Sequence, residues 1–118
     1  ILEKTSCLDI GQSVVVEAGQ VLGIETVQGT EQLLGYVRDT SIALRRVGVG
    51  VFVKREKINQ DLRVDMPTIG PETIRQVYDA KLASIIITPG KVIVLDQDEC
   101  FRLCEELSLS FIVKEREK

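Results

Sequence analysis

Val14-Val15-Val16-Glu17-Ala18-Gly19-Gln20-Val21-Leu22-Gly23-Ile24-Glu25-Thr26 reads as a strand, a turn and a returning strand. The three valines are β-branched and suit a pleated, half-buried surface. Ala18-Gly19 supplies the turn, and Val21 to Thr26 forms the second strand. Thr30 then caps a helix whose apolar stripe is Leu33, Leu34 and Val37, with Glu31 in the first turn, where the dipole favours an anion. Val49 to Lys54 is a further strand. A shift of 71 residues lays this pattern on the second half of the chain. Val14-Val15-Val16 falls on Ile85-Ile86-Ile87, Gly19 on Gly90, Val21-Leu22 on Val92-Ile93, and Glu25 on Asp96. Ile85 to Thr88, Pro89-Gly90 and Val92 to Leu95 therefore read as a second hairpin. Asp96 caps the helix that follows, and Ser110 to Val113 closes the half as a strand. Between the halves, Pro71 opens a helix with the stripe Ile74, Val77 and Tyr78. The expected fold is α/β: a single compact domain with a mixed sheet, carrying two hairpin-helix-strand (ββαβ) repeats.

Composition narrows the function classes. The chain has 118 residues, 44% hydrophobic and 28% charged, without His or Trp. At this length a compact fold hides roughly two-thirds of its unfolded surface, so a true core is within reach. The longest apolar runs, such as Val47 to Val53 and Leu82 to Ile87, are strand-sized and far short of a bilayer span. The lack of His excludes a Ser-His-Asp triad, a Cys-His dyad and imidazole-bound zinc. A general base must come from Asp, Glu, Lys, Tyr, Cys or a metal-bound water.

The net charge of −3 and the 4% aromatic content argue against a nucleic-acid partner. Charge is unevenly spread. Arg45, Arg46, Lys54, Arg55 and Lys57 stand against Glu56 alone, which suits a small anionic ligand or a membrane-surface phosphate as well as a solvated surface segment. Three cysteines without C-x-x-C spacing point to a reducing compartment. Cys100 and Cys104, four apart, fit buried inert thiols on one helix face. The chain opens Ile1-Leu2-Glu3-Lys4, which reads as a piece of something longer.

The segment Arg55 to Gly70 has no counterpart in the other half, so it is free to carry chemistry. In Gln60-Asp61-Leu62-Arg63-Val64-Asp65-Met66-Pro67-Thr68-Ile69-Gly70-Pro71-Glu72-Thr73, residues 61, 63 and 65 are charged and residues 62, 64 and 66 apolar. At a period of two, both carboxylates and the guanidinium share one face of an extended segment. The helix that starts at Pro71 offers free amides, with Thr68 and Thr73 close in sequence. A phosphate held by those amides and Arg63 would lie within reach of a divalent ion on Asp65, with Asp61 as a second carboxylate. The same spacing also suits a cross-strand salt bridge on a solvated face. Gly48-Val49-Gly50 precedes a strand and reads as a backbone turn, not a dinucleotide fingerprint.

The Arg63-x-Asp65-x-Pro67-Thr68-x-Gly70 element and the Gly11-Gln12-Ser13-Val14-Val15-Val16 strand resemble the carboxy-terminal domain of the UDP-2,3-diacylglucosamine pyrophosphatase family of lipid A biosynthesis, in its non-calcineurin-like form. The likeness runs from about Asp9 to Val113 and includes Gln28-Gly29-Thr30-Glu31 and Val53-Lys54. The resemblance implies a two-domain, metal-dependent hydrolase that releases lipid X and UMP at the cytoplasmic face of the inner membrane. It implies Asp65 as the catalytic carboxylate, Asp61 and Asp65 as ligands of Mg²⁺ (or Mn²⁺), and Arg63, Thr68, Thr73, Lys54, Lys57, Gly29 and Thr30 as substrate contacts. It further implies a homodimer peripheral to the membrane and an amino-terminal domain outside this chain, residues 1–118 forming the carboxy-terminal catalytic-type domain. Two positions depart from the family: Gln28-Gly29-Thr30-Glu31 stands for Glu-Gly-Thr-Asp, and Ile58 for a common Pro. The alternative function is a non-catalytic module that binds a nucleotide or acyl-phosphate, or serves dimerisation.

Overall fold

The computed structural model describes residues 13–26, 28–55, 67–88 and 92–114. Strands β1 (Ser13–Glu17) and β2 (Gln20–Ile24) pair antiparallel, as the valine run and the turn residues predict. Ala18 and Gly19 both take left-handed backbone, φ 51° and 83°, the handedness that matches strand twist in a two-residue hairpin. The chain continues through α1 (Thr30–Asp39), a 3₁₀ turn (Ile42–Leu44), β3 (Val51–Lys54) and β4 (Thr68–Ile69). It then runs through α2 (Pro71–Asp79), β5 (Ser84–Ile87), β6 (Ile93–Val94), α3 (Gln97–Glu106) and β7 (Ser110–Val113).

The main sheet has five strands in the order β2-β1-β3-β5-β7. β1 is antiparallel to both neighbours, whereas β3, β5 and β7 are mutually parallel. This is the expected α/β domain with a mixed sheet. Val15, Phe52 and Ile85 lie side by side across it. All three join one buried cluster with Leu33, Leu34 and Val37 of α1, Ile74 and Val77 of α2, and Cys100, Leu103 and Cys104 of α3. The helices therefore cover one face of the sheet. Each fully buried Val, Ile, Leu or Phe in that layer contributes about 1.5–3 kcal/mol.

The order of elements repeats, but the pairing does not. The second hairpin expected from Ile85 to Leu95 is not formed: β5 is hydrogen-bonded to β3 on one edge and β7 on the other. A strand has only two edges, so β6 finds its partner in β4 and makes a separate parallel pair. Ile93 N–H donates to Pro67 O at 2.8 Å and Leu95 N–H to Ile69 O at 2.9 Å. The connection from Arg55 to Gly70 thus supplies a strand that β6 requires.

Three local readings change as well. Gly29, not Thr30, is the N-cap of α1; its φ of 94° is open to glycine at little cost, and Thr30 becomes the first helical residue. Asp96 occupies the N-cap position of α3 in left-handed backbone, but its side chain makes no capping hydrogen bond. Tyr78 belongs outside the stripe of α2: it is exposed, while Ile74 and Val77 are buried.

Candidate functional site

Topology places the site. β2 and β3 point the same way, since both are antiparallel to β1, and β5 and β7 follow β3. Each helix returns across the sheet against the strands. The N-termini of α1, α2 and α3 therefore gather at the carboxy-terminal edge of the parallel strands, where ligands bind in open α/β sheets. Among the described residues no N-cap side chain bonds the first-turn amides of the three helices, although Thr73 Oγ1 accepts from the Gly70 N–H at the start of α2. Uncapped amides and the dipole favour an anion there.

Lys54 ends β3 at that edge and is only 5% exposed. A buried ammonium needs a compensating anion and hydrogen bonds. Among the described residues, three neighbouring segments surround it. Lys54 Nζ donates to Thr30 Oγ1 at 2.8 Å. Thr30 Oγ1 donates to Glu25 Oε1 at 2.6 Å, and Ser13 Oγ donates to the same oxygen at 2.8 Å. Lys54 Nζ and Glu25 Oε1 are 3.9 Å apart, with both side chains largely buried. Ser13 opposes Lys54 in the β1–β3 register, which explains why the first residue of β1 reaches the ammonium's surroundings.

The expected site residues divide into three groups. Lys54, Gly29 and Thr30 come together as described, from strand, cap and first helical turn. Thr68 is exposed in β4, opposite Ile93. Thr73 accepts a hydrogen bond from the Gly70 N–H at 3.3 Å, which ties the start of α2. Asp61, Arg63, Asp65 and Lys57 lie outside the described residues. Among the described residues no group of three or more acidic or thiol side chains gathers as a metal site. Cys100 and Cys104 are buried, and burial pushes both thiols above their ordinary range, as inert core cysteines require.

Sequence reasoning missed Ser13 and Glu25. The available signal was a carboxylate closing a strand five residues before a Gly-Thr helix start. It gains meaning only when β1 and β3 lie side by side.

A family model described as the LpxI C-terminal domain matches residues 1–112. UDP-2,3-diacylglucosamine pyrophosphatase LpxI of Caulobacter vibrioides is 39% identical over 105 residues, covering 86% of this chain. The chain spans 38% of the length of that curated relative.

Proposed function

The chain belongs to the LpxI C-terminal domain family, and on that premise we propose that it is the carboxy-terminal catalytic part of a UDP-2,3-diacylglucosamine pyrophosphatase acting in lipid A biosynthesis. The reaction would be hydrolysis of the substrate's diphosphate to UMP and lipid X. The observation that carries this reading is the buried Lys54 beside the uncapped start of α1, at the sheet edge where α2 also begins. A fixed cation and free amides facing one edge suit the diphosphate of a nucleotide sugar.

In this reading Asp65 is the catalytic carboxylate. Arg63 and Lys57 add positive charge from the same connection, and Thr68 and Thr73 stand at its entry into β4 and α2. Asp65 and Asp61 would hold Mg²⁺ or Mn²⁺, because hard cations of this kind take one or two carboxylates and leave room for phosphate oxygens. When bound, the ion supplies polarisation of the phosphoryl group and activation of water. The protein's own groups bind and orient: Lys54 offsets diphosphate charge, and the amides of α1 and α2 fix oxygen positions.

A diacylated substrate resides in a bilayer, so the reading puts the protein at the cytoplasmic face of the inner membrane, as a peripheral homodimer joined to an amino-terminal domain. Among the described residues no helix is long and apolar enough to cross a membrane. The test is UMP release from UDP-2,3-diacylglucosamine by the family-length protein, with and without chelator and with Asp65→Ala. Turnover that survives both treatments overturns the roles given to the metal and Asp65, and the lack of UMP release by the untreated wild type overturns the assignment. Diphosphate binding without turnover, indifferent to chelator, favours the non-catalytic module instead, for which Lys54 and the helix amides suffice.

A further inference from the structure

The hydrogen bonds around Lys54 have a direction. A carboxylate accepts only, an ammonium donates only, and a threonine hydroxyl has a single proton. Glu25 Oε1 receives the protons of both Ser13 and Thr30, at 2.8 and 2.6 Å. Thr30 must then turn a lone pair toward Lys54, whose Nζ lies 2.8 Å away. The chain runs from Lys54 through Thr30 to Glu25, with Ser13 entering from the other side. Ser13 is fully buried and the Glu25 side chain is 12% exposed, so water competes little for these bonds.

We infer that Glu25 is a positioning residue: by taking Thr30's only hydroxyl proton it makes Thr30 an acceptor that aims the Lys54 ammonium. The inference rests on the proposed diphosphate site at Lys54. It divides the labour of Gly29-Thr30 in a way the motif does not reveal. The Thr30 hydroxyl has no proton left for a phosphate oxygen, so that residue serves a ligand through its backbone N–H, and the side chain works on Lys54. Diphosphate charge is present before and during the reaction, so losing Lys54's aim weakens ground-state and transition-state binding alike.

The experiment measures KM and kcat for UMP release by the family-length protein. Thr30→Val keeps the side chain's shape and removes the relay; it raises KM about tenfold with kcat within about twofold. Thr30→Ser restores the hydroxyl and returns KM to within about twofold of wild type. Glu25→Gln still accepts both hydroxyls but loses its charge, and raises KM by less than Thr30→Val. In a Lys54→Met background Thr30→Val adds less than about twofold, since a relay without its cation has nothing to aim. Thr30→Val with an unchanged KM and only a lower Tm overturns the inference, as does failure of serine to rescue or full additivity with Lys54→Met. Should Lys54→Met not fold, the valine–serine pair decides alone. If the wild type releases no UMP, the functional reading fails; binding of inorganic pyrophosphate to the same position 30 variants, followed by calorimetry, then decides the relay.

Discussion

Arg45 and Glu17, 28 residues apart, form an ion pair at 2.8 Å with both side chains 1% exposed. Every strong group of the pair is engaged. Glu17 Oε1 accepts from Arg45 Nε at 3.3 Å and from the Arg46 N–H at 2.6 Å, while Arg45 Nη1 donates to Val37 O at 3.1 Å. The pair joins the end of β1 to the end of α1 and to the loop that leads into β3.

Breaking that pair from one side strands a charge in the interior. Arg45→Met is expected to cost about 3–5 kcal/mol, read as a lower urea midpoint. Arg102 also bridges two acids, Glu99 and Glu106, but is exposed. Arg102→Ala is expected to stay within about 0.5 kcal/mol of wild type. Equal losses in the two variants would contradict the assigned roles.

Acid sensitivity follows from Glu17. Its hydrogen bond to the Arg45 guanidinium, aided by the Arg46 N–H, holds the carboxyl below the ordinary range despite the opposing effect of burial. A folded value below the unfolded one, about 4.3, means that the unfolded chain binds more protons as pH falls. The contribution is fully present above about pH 4.3 and is lost as pH drops through the folded value. Urea unfolding at stepped pH should show stability falling below that point, with a shallower slope in Glu17→Gln.

The two buried thiols should resist modification. Burial raises both Cys100 and Cys104, with the neighbouring thiol and nearby acids adding to the effect at Cys100. Thiolate is the reactive form, so iodoacetamide at pH 8 should label these positions on the timescale of unfolding and rapidly in denaturant. Peptide mapping by mass spectrometry checks this; fast native labelling would place them outside the core.

Gly29→Ala probes the helix cap. With φ at 94°, a side chain is strained there although nothing lies within 4 Å of the added carbon. The expected cost is about 1–3 kcal/mol, from backbone strain alone. Because Thr30 follows directly, substrate binding should weaken in the same variant, which the KM for UMP release reports.

Asp65→Ala is expected to lower kcat for UMP release by at least about a hundredfold, the scale of losing a positioned catalytic acid or base. Lys54→Met should act mainly on KM. The reverse pattern, a kcat effect at Lys54 and a KM effect at Asp65, would exchange their proposed roles.

Much of the fold was legible because its causes are local. The valine run, the Ala18-Gly19 turn, the stripes Leu33-Leu34-Val37 and Ile74-Val77 and the helix start at Pro71 all depend on neighbours within a turn or two. Strand choice was not legible. The internal repeat suggested that β6 would fold back on β5, and nothing within either half says that β3 and β7 already occupy both edges of β5. The cap at Gly29 was misread for a related reason. Thr30 has the right chemistry for a cap, but its hydroxyl is held by Glu25, just past β2, and by Lys54 of β3.

The candidate site divides along the same line. The amino-acid order by itself determined the secondary elements, the α/β class, the exclusion of imidazole chemistry and the motif around Asp65, since these depend on residue type and short spacing. Only the folded chain decided that Ser13, Glu25, Thr30 and Lys54 meet. The hydrogen bonds among them span up to 24 residues and join four segments, so they depend on which strands lie side by side. Hydrogen bonds need atoms about 3 Å apart, and that proximity is a property of the packed sheet.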